Sequence, residues 1–298
     1  MQVFYTDPFP IPLPEGHAFP LDKYQRVREG VAATPEGERA VFSIANRATQ
    51  EDLLLAHESE YIAAIRGGTL SRDAERRLGF PWSEAMVERS LRSCGSTVAA
   101  SDHALEDGAA VYLGGGTHHA FRDRGGGFCV FNDCAVASLR LIHGGRLGRV
   151  LILDLDVHQG DGTASILRDE PRVFTFSMHG AKNYPRIKEP GDLDVALPDG
   201  CDDRTYLETL DETMDRVFEL AQPELVFYLA GADPHRDDRF GRLGLTENGL
   251  AARDRRVFQA CRERSVPVVV TMAGGYGRKL DVTVAIQIET VRQALAAY

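Results

Sequence analysis

The 298-residue sequence lacks several features that define other classes of protein. Its five cysteines are odd in number and form no CxxC pair, which argues against a disulfide framework and indicates a reducing compartment. No segment reaches the ~20 apolar residues of a membrane-spanning helix. The opening residues, MQVFYTDPFP, have neither the positive charge nor the apolar core of a secretory signal. These absences predict a cytoplasmic protein without a membrane span.

The sequence also lacks an excess of positive charge. It contains 34 Lys and Arg residues against 44 Asp and Glu residues, which gives a net charge of -10. Because no basic stripe is available to neutralise phosphates, we do not expect the chain to bind nucleic acid. An acidic surface would instead attract lysine-rich peptides or polyamines. The sequence leaves the oligomeric state open.

No Pro/Ser-rich linker, internal repeat or low-complexity tract divides the chain, so we expect residues 1–298 to form one domain. Short apolar runs alternate with longer helical patterns, which is typical of a parallel sheet covered by helices on both faces. The predicted strands are 111–113, 150–153, 173–176, 225–229 and 268–271, and the predicted helices are 83–105, 133–142, 203–220, 247–264 and 280–297. Segments 9–20 and 66–80 are predicted to be loops.

The stretch LILDLDVHQGDG, residues 151–162, is the most informative part of the chain. Its apolar run has the pattern of a buried strand and ends in Asp154, Asp156, His158 and Asp161. Side chains of a strand alternate between faces, so the first three of these residues can begin on one side of the chain. Two carboxylates and an imidazole so close together indicate a metal site rather than a helix cap followed by solvated loop residues.

A hydrolytic metal centre usually takes about three ligands from the protein and leaves one position open for water. Asp156 and His158 supply two ligands, and the third is expected at the end of another strand. The best candidate is Asp233 in LVFYLAGADPH, where another apolar run ends. Two carboxylates and one histidine suit zinc, although iron or manganese would also accept them.

Two further motifs follow apolar runs. GGGTHH places His118 and His119 behind three glycines, and each imidazole can act as a base, an acid or a metal ligand. MAGGYG sets Tyr276 in a glycine turn that can present the phenol to a cavity. Each motif alone also fits a plain turn. Because open α/β sheets bind ligands at the carboxyl ends of their strands, we expect all the motifs to meet there.

In their order along the chain, GGGTHHA, GGGFCVFND, DLDVHQGDG, AGADPH and GGY resemble the zinc-dependent histone deacetylase family. The resemblance runs from residue 20 nearly to the carboxyl terminus. DRGGGFC, Gln159 and DRFGRL are most similar to class IV deacetylases and their compact bacterial relatives. The resemblance implies one deacetylase-like catalytic domain with the arginase-deacetylase fold, an α/β architecture with an eight-stranded, mainly parallel sheet.

The same resemblance implies a role for the residues of each motif. It implies a set of metal ligands, a pair of histidines with carboxylate partners, and a tyrosine that donates a hydrogen bond to the substrate carbonyl. The corresponding residues are Asp156, His158 and Asp233 as ligands, His118 with Asp154 and His119 with Asp161 as the histidine pairs, and Tyr276 as the donor.

The resemblance also describes a substrate channel. Phe128 would form one wall of the channel, and the Gly127 carbonyl would accept the amide proton of the substrate. Phe240 stands where most members have leucine or methionine, so the mouth or the acyl pocket is expected to differ in shape. Potassium often binds near the zinc in this family, and the corresponding positions are Asp154, Asp156, His158, Ser177 and Met178.

These inferences predict a metal-dependent amidohydrolase that removes an acyl group, acetyl or a longer fatty acyl, from lysine in a protein or peptide. The metal is expected to be Zn²⁺, with Fe²⁺ or another divalent ion as the alternative. A small-molecule amidohydrolase acting on acetylpolyamines is the second hypothesis. A noncatalytic protein that binds acylated ligands is more remote, because Tyr276, both histidines and all three ligands are retained. The pattern does not distinguish which histidine is the base.

Overall fold

An eight-stranded sheet forms the centre of the molecule in the computed structural model, which describes residues 1–298. Every pair of neighbouring strands is parallel. The strands are β1 (Gln2–Phe4), β2 (Val41–Ser43), β3 (Ala109–Tyr112), β4 (Val150–Asp154), β5 (Val173–Gly180), β6 (Leu193–Leu197), β7 (Leu225–Leu229) and β8 (Val268–Thr271). Their order across the sheet is β2, β1, β3, β8, β7, β4, β5 and β6.

Ten α-helices cover the two faces of this sheet. They are α1 (Asp22–Ala32), α2 (Gln50–Ala56), α3 (Ser59–Gly67), α4 (Arg72–Leu78), α5 (Glu84–Asp107), α6 (Asp133–His143), α7 (Asp161–Leu167), α8 (Asp203–Ala221), α9 (Glu247–Glu263) and α10 (Leu280–Ala297). Helices α1, α8, α9 and α10 contribute to the core on one face, and α2 to α7 to the core on the other. None of the ten combines the length and the apolar composition that crossing a membrane requires.

Alternate side chains of each central strand point to opposite faces and enter different cores. In β4, Leu151 and Leu153 belong to a core of 39 buried residues, whereas Val150 and Ile152 belong to a core of 37. Because the two cores are nearly equal in size, both faces of the sheet are covered. This burial explains why the central strands are apolar at consecutive positions.

The fold class predicted from the sequence is confirmed, and the sheet is entirely rather than mainly parallel. All five predicted strands and five predicted helices are present, with ends that differ by a few residues. Segment 9–20 contains neither helix nor strand, as predicted. Three strands were not predicted from the sequence: β1 and β2 have only three residues each, and β6 lies at the edge of the sheet with alternating burial.

Segment 66–80 is partly helical, so the prediction of a loop there is wrong. Helix α4 begins after Ser71, whose hydroxyl accepts a hydrogen bond from Ala74 N at 3.2 Å. It ends at Gly79, which adopts the left-handed conformation common after helices. Leu78 is the only buried residue of this helix. Without an apolar stripe, the sequence contains no periodic signal that would distinguish the helix from a polar loop.

One ion pair lies wholly inside the core. Arg253 and Asp254 on α9 have side chains that are 0% and 1% exposed, and Arg253 Nη2 lies 2.8 Å from Asp254 Oδ1. The hydroxyls of Tyr228 and Thr290 donate to the Asp254 carboxylate. Arg253 Nη1 donates to the main-chain carbonyl of Gly231 at 2.6 Å. Each charge is paired and hydrogen-bonded, as burial requires.

Replacing Arg253 by Met would leave the Asp254 carboxylate buried without its cation. We expect the free energy of unfolding to fall by roughly 3–5 kcal/mol, because breaking a buried pair leaves one charge uncompensated. Urea denaturation followed by circular dichroism measures this loss. The matched change Arg256→Met breaks the more exposed pair with Asp211 and should cost less than about 1 kcal/mol. Equal losses in the two variants would contradict this account.

Candidate active site

The carboxyl ends of the central strands meet along one edge of the sheet, where the loops that follow them enclose a cavity of about 780 Å³. Strands β4 and β7 are neighbours, with Asp154 opposite Leu229 in register. The chain continues beyond each strand by only a few residues before it reaches Asp156 or Asp233. Loops after β3 and β8 line the same cavity. The sequence motifs therefore lie together at this edge.

Asp156, His158 and Asp233 form a cluster in which one possible ligand atom from each residue lies within 4.8 Å of the others. His158 Nδ1 is 3.1 Å from Asp156 Oδ1 and 3.3 Å from Asp233 Oδ2. Both carboxylates are almost wholly buried, whereas His158 is partly exposed. The structure thus brings together the three residues that the sequence suggested as metal ligands.

The chemistry of this cluster fits a divalent cation. Asp233 Oδ2 accepts no hydrogen bond although it is buried, and burial together with the nearby charge of Asp156 raises the pKa of Asp233 to about 7. Burial also opposes ionisation of Asp156, but the adjacent His118 and His158 hold the pKa of that carboxyl well below its usual value. A cation bound between two such carboxylates relieves their repulsion. Oxygen and imidazole ligands together suit zinc, iron or manganese.

Two glycines allow the main chain to approach these carboxylates. The Gly274 amide donates to Asp156 Oδ2 at 2.7 Å, and a Cβ at this position would lie 1.9 Å from Asp233 Oδ2. At Gly231, a Cβ would lie 2.7 Å from carboxylate oxygens of both aspartates. Any larger residue at either position would displace one of the two carboxylates, which explains the glycines in the GGY and AGAD motifs.

The tandem histidines contact different carboxylates. His118 Nδ1 is 2.7 Å from Asp154 Oδ2, and His119 Nδ1 is 2.6 Å from Asp161 Oδ1. Burial opposes the charged form of His118, but Asp154 and Asp156 outweigh it and raise the pKa of this ring to about 9. For His119, burial and the neighbouring His118 lower the pKa to about 4. The two rings, 4.1 Å apart, therefore differ in proton affinity.

A buried carboxylate that sequence reasoning missed fixes the loop before these histidines. Asp133, the first residue of α6, is 0% exposed. Its Oδ2 accepts a hydrogen bond from Gly116 N at 3.0 Å, and its Oδ1 accepts one from Thr117 N at 2.8 Å. Asp133 belongs to the FND part of a recognised motif, but a contact between residues 16 positions apart leaves no local pattern in the sequence.

Tyr276 lies among aromatic rings on another side of the cavity. Its ring centre is 5.7 Å from that of Phe128 and 5.3 Å from that of Phe240. Asp238 accepts hydrogen bonds from Tyr276 N at 2.6 Å and from Phe240 N at 2.8 Å. This buried carboxylate, which sequence reasoning also missed, therefore joins the two segments. Burial raises the pKa of Tyr276 well above its usual value, so the phenol keeps its proton and can donate a hydrogen bond.

The end of helix α4 supports one wall of the cavity. Gly127 N donates to Arg77 O at 3.1 Å, and Phe128 N donates to Leu78 O at 2.8 Å. Phe128 has a φ of 67°, a left-handed conformation that is uncommon outside glycine. Its ring packs 5.4 Å from that of Phe80. The helix missing from the sequence-based prediction thus holds a strained residue at the cavity wall.

The mouth contains another residue that sequence reasoning missed. Tyr184 is 50% exposed, and its ring meets that of His119 edge-on with centres 4.7 Å apart. Phe240, which was identified from the sequence, is 44% exposed and lines the same cavity. Tyr184 belongs to none of the recognised motifs and follows a short polar stretch, so no pattern distinguishes it from an ordinary loop residue.

The positions suggested for potassium lie on two adjacent strands, β4 and β5, and in the segment that follows β4. Asp154 on β4 is opposite Ser177 on β5, and Met178 follows on the same strand. The Ser177 hydroxyl lies 2.9 Å from His179 Nδ1, and Asp154 is engaged with a tandem histidine. Both side chains thus have local partners.

An eight-stranded parallel α/β sheet with this cluster at its carboxyl edge defines the arginase-deacetylase class of folds. The histone deacetylase domain family matches residues 17–290, and the chain therefore belongs to the histone deacetylase family.

Similarity to individual proteins extends over nearly the whole chain. An uncharacterized protein of Picosynechococcus is 42% identical over 284 residues, with 93% of each chain covered. Histone deacetylase 2 of Arabidopsis thaliana is 33% identical, with 94% of this chain and 75% of that protein covered. The crystal structure of a histone deacetylase homologue complexed with SAHA has a TM-score of 0.82 at 26% identity, and the match covers 99% of this chain and 83% of that one. These similarities support a deacetylase-family hydrolase.

The cluster predicts how the metal content responds to mutation. We expect the purified protein to hold about one divalent ion per chain. Asp156→Ala and Asp233→Ala should each lose most of it, because two remaining ligands rarely retain zinc. Inductively coupled plasma mass spectrometry of the dialysed protein measures the metal. Asp211→Ala removes an exposed carboxylate on α8 and serves as the control. Full occupancy in both cluster variants would show that other residues bind the metal.

Proposed function

We propose that the protein hydrolyses the amide bond of an acyl-lysine in a protein or peptide, with Zn²⁺ held by Asp156, His158 and Asp233. The observation that carries this proposal is that the three residues share one cavity with two histidine–carboxylate pairs and a tyrosine. When bound, the metal polarises the amide carbonyl and lowers the pKa of water. Potassium near Asp154 on β4 and Ser177 on β5 belongs to the same proposal as a second cation.

His118 and His119 carry out the two proton transfers that amide hydrolysis requires. One proton is taken from the attacking water, and one is delivered to the leaving nitrogen, because the lysine amine leaves poorly as an anion. When Nδ1 of each ring donates to Asp154 or Asp161, Nε2 is left for this exchange. Different carboxylate and charge environments give the two rings different proton affinities, which suits a division between base and acid.

Tyr276 stabilises the negative charge that develops on the substrate oxygen. Its protonated phenol belongs to the cavity lining, and Asp238 fixes its main chain through the Tyr276 amide. A donor directed at such an oxygen typically contributes on the order of a hundredfold to a thousandfold in rate.

Gly127 and Phe128 position the substrate. The Gly127 carbonyl accepts the amide proton, and the Phe128 ring packs against the aliphatic stem of the lysine. Phe240, which packs against Tyr276, sets the width of the mouth. The cavity is also lined by Arg89 on α5 and Tyr112 on β3, both buried, and this inner part supplies room for the acyl group.

Zinc-loaded protein should hydrolyse acyl-lysine peptides, and a hydroxamate should inhibit the reaction. The reason for the inhibition is that three protein ligands leave a position open to a chelating group. Mass spectrometry measures the free amine released from acetyl-, octanoyl- and myristoyl-lysine peptides and from acetylated polyamines. A methylamide analogue that cannot chelate is the matched control compound.

Two outcomes would contradict the proposal. Turnover that persists at saturating hydroxamate would exclude the metal-centred mechanism. Binding of acylated ligands without any hydrolysis would instead indicate a noncatalytic protein.

Tyr276→Phe separates chemistry from binding at the tyrosine, because the variant keeps the ring and loses only the hydroxyl. We expect kcat to fall by on the order of a hundredfold or more, with little change in substrate affinity. Metal content should stay the same, since the phenol is not a ligand. Tyr5→Phe removes a hydroxyl outside the cavity and is the matched control. A kcat within about threefold of wild type, with chemistry rate-limiting, would reject this role.

A further inference from the structure

The mouth of the cavity has two chemically different sides. On one side, Phe19, Phe80 and Phe128 form an uncharged aromatic surface. The ring centre of Phe19 is 4.9 Å from that of Phe80 and 5.5 Å from that of Phe128. All three residues line the cavity. This side can pack against apolar groups and does not discriminate between substrates by charge.

The other side consists of three loop segments that are hydrogen-bonded to one another. Asn183 Nδ2 donates to Phe240 O at 2.7 Å. Arg239 Nε donates to Tyr276 O at 2.9 Å. These bonds connect the segment after β5, the segment after β7 and the segment after β8 into one edge. Four exposed cations lie along this edge and line the cavity, and we refer to them as the cationic rim: Lys182, Arg239, Arg242 and Arg278.

Acidic side chains neutralise only part of the positive charge of this rim. Asp199 lies 2.7 Å from Arg242 Nη2 and 3.7 Å from Lys182 Nζ, so one carboxylate serves two cations. Arg239 and Arg278 form no ion pair within 4.0 Å. The rim therefore carries a local excess of positive charge in a protein whose net charge is -10.

The two unpaired arginines are held by neutral groups. Arg239 Nη2 donates to Ala18 O at 3.2 Å. Arg278 Nη1 donates to the main-chain carbonyls of residues 237 and 238, at 3.3 and 3.1 Å. The carboxylate of Asp237 instead accepts a hydrogen bond from Lys279 N at 2.8 Å. Main-chain carbonyls fix the position of both guanidinium groups without cancelling their charge, which leaves that charge available to a ligand at the mouth.

We propose that the cationic rim selects acyl-lysine substrates whose neighbouring residues carry carboxylates, and that it disfavours polyamines and lysine-rich peptides. This inference rests on the proposed function, because it assumes that the acylated side chain occupies the cavity. Residues next to that lysine then lie at the mouth, within the ~8–10 Å over which charges interact at ordinary ionic strength. An acetylated polyamine would bring further positive charge to the same place.

Three peptides with the same central acetyl-lysine, flanked on both sides by Glu, by Gln or by Lys, test this selection. We expect kcat/KM to fall in that order, by about threefold for each ion pair lost at the rim. The effect should appear in KM rather than kcat, since the flanking groups do not touch the reacting atoms. The difference between the three peptides should become smaller as the salt concentration is raised from about 0.02 M to about 0.5 M. Acetylspermidine should be a poorer substrate than the Gln peptide.

Substitutions at the rim identify which charges cause the preference for the Glu peptide. Lys182→Gln and Arg278→Gln should each reduce the preference for the Glu peptide over the Lys peptide. Arg278→Lys keeps the charge while changing the hydrogen bonds to the main chain, so it should retain the order of the three peptides. Arg216→Gln removes the same charge from an exposed position on α8 and should leave the preference unchanged.

Equal kcat/KM for the Glu and Lys peptides, or preferred hydrolysis of acetylspermidine, would overturn the proposal. Fluorescence anisotropy of the same labelled peptides gives the preference independently of hydrolysis. Tighter binding of the Glu peptide without hydrolysis would support the rim and contradict the proposed reaction. Hydrolysis of all three peptides at equal rates would contradict the rim and support the reaction.

Discussion

Two carboxylates buried side by side, those of Asp156 and Asp233, impose the constraint on which the rest of the candidate active site depends. Ionised groups removed from water require partners. Gly274 N and Val157 N donate to them, and His158 lies between them. These groups offset only part of the repulsion, since one oxygen of Asp233 still lacks a donor. A divalent cation would supply the missing charge and would link metal binding to the stability of this edge of the sheet.

Three buried charged residues outside the cluster of Asp156, His158 and Asp233 hold the loops that carry the residues proposed to react. Asp133 fixes the loop before the tandem histidines, and Asp238 fixes the segment of Tyr276. Arg253 donates to the carbonyls of Leu155 and Gly231, at 3.3 and 2.6 Å, close in sequence to Asp156 and Asp233. Each of the three contacts main-chain groups rather than reactive side chains. The geometry of the site therefore depends on residues that do not touch a substrate, and a change in any of them would move a reactive group indirectly.

Local patterns predicted the central strands, the long helices and the residues at their ends. Each motif combines an apolar run with polar residues at its carboxyl end, and parallel pairing then brings these ends together. Helix α4, Tyr184 and Asp133 were not predicted, for different physical reasons. The helix has no apolar face, Tyr184 lies in a loop without a motif, and Asp133 acts through a contact distant in sequence. Tertiary structure determines these features, so short-range patterns do not contain them.

Net charge and the charge at the mouth of the cavity point to different ligands, because net charge sums residues that never act on the same ligand. A total of -10 suggests attraction for lysine-rich peptides or polyamines, yet the exposed charges that line the mouth are all positive. Salt screens charges on distant helices, whereas the rim itself lines the cavity. The acidic residues that line the cavity are Asp156 and Asp233, the proposed metal ligands, whose charge a divalent ion would neutralise. The proposed selection at the mouth thus depends on the local arrangement of a few arginines and lysines rather than on composition.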